Sequence, residues 1–309
     1  MDPLAIEKLS DWLSIKPYLG QDKGLFLAKF PTNWYAEFSQ YIKEMDICEF
    51  DELAKRKVTE FVSQLKNENG FLSLGYPRDG NKSWAENFIN LPDNMSQDFI
   101  PVGKRGNNKN LQTFETLDSE HLDVRDIVAG KFTPIELANL IKVYIQNSAV
   151  IAFVDRNNYL SSNSQSGKFF IDFIKEVLLL VRDTKCQEII IYCKYDEKYN
   201  YLKEDKTVNE ALASNFSQFK IPLYGLKYIC CTEAPAREDL RAASIDLHAR
   251  WIVTHNVAFQ LSDSISGGTK SQTVTRIKDK VFREAQVKSW IEQEHGLEVV
   301  SMGVLLNNK

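Results

Sequence analysis

The chain has 309 residues, of which 43% are hydrophobic and 18 are Phe, and a formal net charge of −4. That is the composition of a soluble globular protein, with apolar material for a packed core and length for two domains. Its apolar runs, such as Glu176-Val-Leu-Leu-Leu-Val181, fall far short of the roughly 20 residues that cross a bilayer.

The start, Met1-Asp-Pro-Leu-Ala-Ile-Glu-Lys8, lacks the basic, apolar and small-residue succession of a secretory signal, so a cytoplasmic location is expected. The cysteines, Cys48, Cys186, Cys193, Cys230 and Cys231, are odd in number and lack metal-type spacing. Buried free thiols are the expectation. Charge is uneven: residues 1–144 carry 17 Lys and Arg against 22 Asp and Glu, a balance of −5, whereas residues 145–309 carry 21 against 20. Within the second part, Lys270, Arg276, Lys278, Lys280, Arg283 and Lys288 outweigh Asp279 and Glu284. Such an excess either attracts phosphate or forms a solvated helix face.

In chain order, Gly24-Leu-Phe-Leu-Ala-Lys-Phe30 reads as a strand, and Trp34, Phe38, Tyr41 and Ile42 mark one face of a helix. A second helix follows, with Ala54, Val58, Phe61, Val62 and Leu65 at helical spacing and Asn67-Glu-Asn-Gly70 as its stop. Residues 71–112 are rich in Gly, Pro, Asn and Asp and read as a long loop. Thr133-Pro-Ile-Glu136 is a helix start: Thr133 caps, Pro134 suits the first turn, and Glu136 reaches back. The domain boundary is therefore placed before it, giving an N-terminal α+β domain over 1–132 and an α/β domain over 133–309.

The second domain alternates helix 134–147, strand 149–154, helix 168–182, strand 187–193, helix 208–219 and strand 223–230. Continuous apolar runs such as Val150-Ile-Ala-Phe-Val154 fit strands buried on both faces. A mixed, largely parallel sheet flanked by helices is expected. Then come a hairpin around Thr254-His255-Asn256, a helix near 274–294 and a last strand, Leu297-Glu-Val-Val-Ser-Met302.

Two of four histidines lie in Leu247-His-Ala-Arg-Trp-Ile-Val-Thr-His255. On a strand, alternation puts His248 and Arg250 on one face. An imidazole that attacks or shuttles a proton, beside a guanidinium that binds non-bridging oxygens, suits a phosphodiester. A histidine hydrogen-bonded within a half-buried hairpin is the plainer reading. His121, among acidic residues, reads as part of a charged turn, and His295 as a helix C-terminal residue favoured by the dipole. Asp155 and Lys194 follow strands, where α/β sheets place ligand-binding groups. Ser264-Ile-Ser-Gly-Gly-Thr-Lys270 is able to cradle a phosphate with backbone N–H groups, but it lacks Walker spacing.

The order of elements resembles one half of the phospholipase D superfamily, whose signature is His-x-Lys, four residues, Asp, and then a Gly-Ser-x-Asn turn. Here His248-Ala-Arg250 is followed by four residues, His255, and six residues later Ser262-Asp-Ser-Ile265 and Ser266-Gly-Gly-Thr269. Val154-Asp-Arg-Asn-Asn-Tyr159 resembles the Asp-x-Tyr-like turn of degenerate members. The resemblance implies His248, Arg250 and His255 as the catalytic set and Asp155, Arg156, Tyr159, Lys194, Ser264 and Lys270 as binding residues. It implies no metal and no cofactor. Two functions remain open. One is a binding module for nucleic acid or a protein partner in a prokaryotic defence or DNA-processing system. The other is a phosphodiesterase or nuclease, active as a homodimer through paired His248.

Overall fold

The computed structural model describes residues 19, 27–29, 52–67, 71–73, 127–235, 247, 249–255, 257–265, 271–277 and 279–307. The chain divides into two units, Met1–Val124 and Arg125–Lys309.

In the first unit, strands β1 (Leu27–Lys29) and β2 (Phe71–Ser73) pair in parallel, with helix α1 (Glu52–Asn67) between them in sequence. Val58, Phe61 and Val62 are buried as their spacing predicts, one stripe on an otherwise charged helix. The helix expected around Trp34–Ile42 and the charged turn at His121 lie outside the described residues.

The second unit runs β3 (Ile127–Gly130), α2 (Pro134–Gln146), β4 (Val150–Val154), α3 (Gln165–Val181), β5 (Glu188–Lys194), a 3-10 turn (Asn200–Leu202), α4 (Asp205–Phe216), β6 (Leu226–Pro235), β7 (Arg250–Thr254), β8 (Ala258–Leu261), β9 (Gln272–Arg276), α5 (Lys280–Trp290) and β10 (Leu297–Leu305). The start of α2 carries the full capping box: Glu136 N donates to Thr133 Oγ1 at 3.3 Å, and Thr133 N donates to Glu136 Oε2 at 2.7 Å. The boundary falls at Arg125 rather than before Thr133, because β3 pairs with β9 and so joins this unit.

One eight-stranded sheet has the order β10-β6-β5-β4-β7-β8-β9-β3. It is mixed, but the largely parallel arrangement expected from the sequence is corrected. Only β4-β5 and β5-β6 are parallel; β10-β6, β4-β7, β7-β8, β8-β9 and β3-β9 are antiparallel. The α3 and α4 crossovers make β4, β5 and β6 parallel, whereas the successive strands β7, β8 and β9 are antiparallel neighbours and β10 returns after α5 to run against β6. Strand β9 occupies residues expected to begin the last helix, so α5 starts only at Lys280, capped by Asp279.

On one sheet face Ala152, Val154, Ile190, Tyr192, Trp251 and Val253 form a core with Val287, Trp290 and Ile291 of α5 and its exit. The alternate residues face α2 and α3, where Tyr144 meets Phe259 and Phe153 meets Phe173 edge to face, with ring centres 5.0 and 5.4 Å apart. Strand β10 ends the sheet. Its outward N–H groups at Met302 and Val304 are taken by Asp205 and Asn209 of α4 at 2.8 and 2.7 Å. Side chains thus close an edge that would otherwise template another strand.

Candidate functional site

Parallel strands β4 and β5 end at one edge of the sheet. Because β7 runs against β4, its first residues arrive at that same edge, as does the end of β8. Backbone bonds stitch these ends together: Arg156 N donates to Leu247 O at 3.1 Å, and Lys194 N to Arg156 O at 3.3 Å. Asp155, Arg156, Lys194, Arg250 and Ser264 are thereby gathered along a single border, as their positions after or before strands suggested.

Asp155 is fully buried. Its Oδ2 accepts from Ser264 Oγ at 2.6 Å and from Ile265 N at 2.8 Å, and its Oδ1 from Asn157 N at 2.9 Å. Burial pushes the carboxyl above its ordinary range, against the opposing pull of Ser264, the backbone donors at Asn157 and Ile265, and the nearby Arg250 charge. Asp155 therefore pins the turn after β8, and Ser264, expected in a phosphate cradle, is one of its donors.

Arg250 is half-buried, and its Nη1 makes a long contact of 3.5 Å to Ser262 O. Its Nε is buried without a partner. A guanidinium offers five N–H donors, and among the described residues this one spends a single Nη1 bond. Arg250 and Ala249 begin β7 beside a cleft of about 390 Å³ lined also by Gln260, Leu261, Ser262, Thr273 and Thr275; alternation sets Arg250 with Leu261 on one sheet face and Gln260, Thr273 and Thr275 on the other. Gln260 pairs with Thr275 across β8-β9, so these polar side chains lie on one pleat face. Ser262 is locked to β9, its Oγ accepting from Thr273 N at 2.8 Å. Among the described residues the lining holds Arg250, hydroxyls and an amide beside Ala249 and Leu261, and no carboxylate. That set suits the oxygens of an anion.

Beside it, Tyr159 stacks on Tyr199 with ring centres 4.2 Å apart and 28° between planes, and Tyr201 meets Tyr199 edge-on at 6.0 Å. Lys198 Nζ lies 5.1 Å from the Tyr199 ring centre and is paired with Asp196 at 2.8 Å. Burial, chiefly, raises the Tyr159 phenol well above its ordinary value, so it stays neutral.

His255 does not join this group. It is exposed in the β7-β8 turn, closed by Thr254 N donating to Val257 O at 2.8 Å. Five residue steps separate it from Arg250, about 16 Å at the usual rise. His248 and Lys270 lie outside the described residues. His295, expected as a charged helix terminator, is instead a core residue: burial lowers its pKa, Nδ1 accepts from Leu297 N at 3.1 Å, and the ring stacks on Trp290. Cys186, Cys193, Cys230 and Cys231 are buried and unlinked. Among the described residues, no three His, Cys, Asp or Glu side chains gather to hold a metal, and no helix is long and apolar enough to cross a membrane.

Sequence reading missed Gln260, Thr273, Thr275, Lys198 and Tyr199. The alternation in Gln272-Thr-Val-Thr-Arg276 and the interleaved Lys and Tyr of residues 194–203 were the available signals.

No family model and no curated protein matches the chain. Among solved structures, one similar chain is that of TrmBL2, an archaeal chromatin protein whose structure is described as showing a novel mode of DNA binding. It is 13% identical, with 88% of this chain and 72% of that chain covered, and the TM-score is 0.30. Likeness at that level carries no argument about function.

Proposed function

We propose that residues 125–309 form a degenerate phospholipase D-like module that binds nucleic acid through the Arg250 cleft without cleaving it, as a homodimer in a prokaryotic defence or DNA-processing system. The observation that carries this reading is the half-buried Arg250 guanidinium where β7 begins, with one long hydrogen bond among the described residues, beside a cleft whose described lining of Gln260, Ser262, Thr273 and Thr275 includes no carboxylate. A phosphodiester supplies the acceptors that such donors lack. Loss of catalysis is supported by the carboxylate nearest the site. Asp155 accepts from Ser264, Ile265 and Asn157, bonds that commit it to holding the turn after β8. The distance of His255 from Arg250 supports it too.

The test is fluorescence anisotropy of a labelled 20-nucleotide DNA strand and of its duplex, titrated with the full chain at stepped salt. Arg250→Gln is expected to weaken binding about tenfold and to lower the slope of log K against log salt by about 1. Unchanged affinity in a folded Arg250→Gln protein would sink the cleft. Cleavage of the oligonucleotide that His248→Ala abolishes would restore the phosphodiesterase reading. A monomeric mass in solution would remove the homodimer from the proposal.

A further inference from the structure

Resting on the nucleic-acid reading above, we propose that this edge of the sheet selects unpaired strands, with Tyr199 and Tyr159 as a stacking platform for a base and Lys198, Lys194 and Arg250 as successive phosphate partners. The tyrosine stack is built by two loops that leave adjacent parallel strands, Tyr159 after β4 and Tyr199 after β5. Tyr201 buttresses it from the edge while its hydroxyl accepts from Leu160 N at 2.8 Å. The platform is thus a fixed surface whose ordering cost is met in folding.

Cations border it. Lys198 has a 66% exposed side chain and lies beside the Tyr199 ring, and Lys194 ends β5 next to Arg156. Asp196 is paired with Lys198 at 2.8 Å. From β5 through β4 and β7 to β8 the border crosses three strand spacings, about 14 Å. A short stretch of backbone then reaches from the tyrosines to the Arg250 cleft. Lys198 Nζ lies 5.1 Å from the Tyr199 centre and 6.0 Å from the Tyr159 centre, beside the stack and not on its outer face, so a base on the ring leaves the Lys198–Asp196 pair in place with the ammonium at its flank. Duplex bases hide their faces in their own stack, so only an unpaired strand uses the platform. The neutral Tyr159 phenol suits the task, since an anionic ring would repel the backbone.

The experiment compares Tyr199→Leu, which keeps apolar bulk without a π face, and Tyr199→Trp with the parent chain, using a 12-nucleotide DNA strand and its duplex in anisotropy titrations. The parent is expected to favour the single strand, Tyr199→Leu to lose about tenfold on it with duplex affinity unmoved, and Tyr199→Trp to retain or gain affinity. Equal loss on strand and duplex, or no loss on either, overturns the platform. If Arg250→Gln still weakens binding in that case, the cleft stands and only the strand preference falls. If the parent binds neither probe at low salt, the nucleic-acid reading itself has failed.

Discussion

Two regions of the sheet, the β10 edge and the border where β7 begins, treat polar groups in opposite ways. At β10, Asp205, Asn209 and Ser301 each spend a side-chain oxygen on a backbone partner, and Asn307 bonds Ile221 on both its N–H and its carbonyl. At the border near Arg250, the guanidinium makes one long contact, and Gln260, Thr273 and Thr275 face an open cleft. Satisfied polar groups hold a fold together, whereas unsatisfied ones in a concave site are available to a ligand. Asp155 stands between these cases: it sits at the functional border yet behaves like the residues of β10.

The contrast breaks most visibly at Asp155. Asp155→Ala orphans the donors at Ser264, Ile265 and Asn157, and the expected loss is about 3 kcal/mol in urea unfolding. The pH dependence has a definite sign. Because its folded pKa is raised, Asp155 contributes stability that is fully present below its ordinary value of 3.8 and is lost as pH rises through the folded value. The deficit of a non-titrating Asp155→Asn variant should therefore be larger at pH 4.5 than at pH 7.5. A deficit that grows with pH would mean that the carboxylate is held ionised for function.

At the sheet edge, Gly303 brings β10 against α4 so closely that a Cβ would lie 2.6 Å from Val208 Cγ1. Gly303→Ala is expected to cost about 2 kcal/mol by overpacking, with nucleic-acid affinity unchanged in the folded fraction. A smaller step is Thr133→Ala, which removes the cap of α2 and costs about 1 kcal/mol by thermal unfolding.

How much of this was legible follows from what each signal depends on. The capping box at Thr133 and the apolar runs of β4 and β5 are local, and they stand within a residue or so of their expected bounds. Strand direction after β6 is not local. Nor is the cleft, whose polar row exists only because β8 and β9 pair in the register that sets Gln260 against Thr275. Asp155 and Lys194 were found because strand ends carry positional meaning and Arg250 because it shares a strand face with His248, but Ser264 and Ile265, which bond Asp155, come from a turn 109 and 110 residues away. The alternating Thr273 and Thr275 were absorbed into a helix because Gln272–Arg276 is short and leads directly into the basic helical segment.

The smallest expected effect on stability sharpens the comparison furthest. Arg250→Met removes a half-buried charge whose Nε lacks a partner and replaces it with apolar bulk, so unfolding free energy should move by less than about 0.5 kcal/mol. What opposes this is the Arg250 charge near Asp155, the last and smallest of the influences on that carboxyl. If Arg250→Met instead costs as much as Asp155→Ala, the guanidinium belongs to the buried network that pins the Ser264 turn. The cleft then has no cation to spare for a phosphate. Near-neutral stability combined with weakened nucleic-acid binding separates a group kept for a ligand from one kept for the fold.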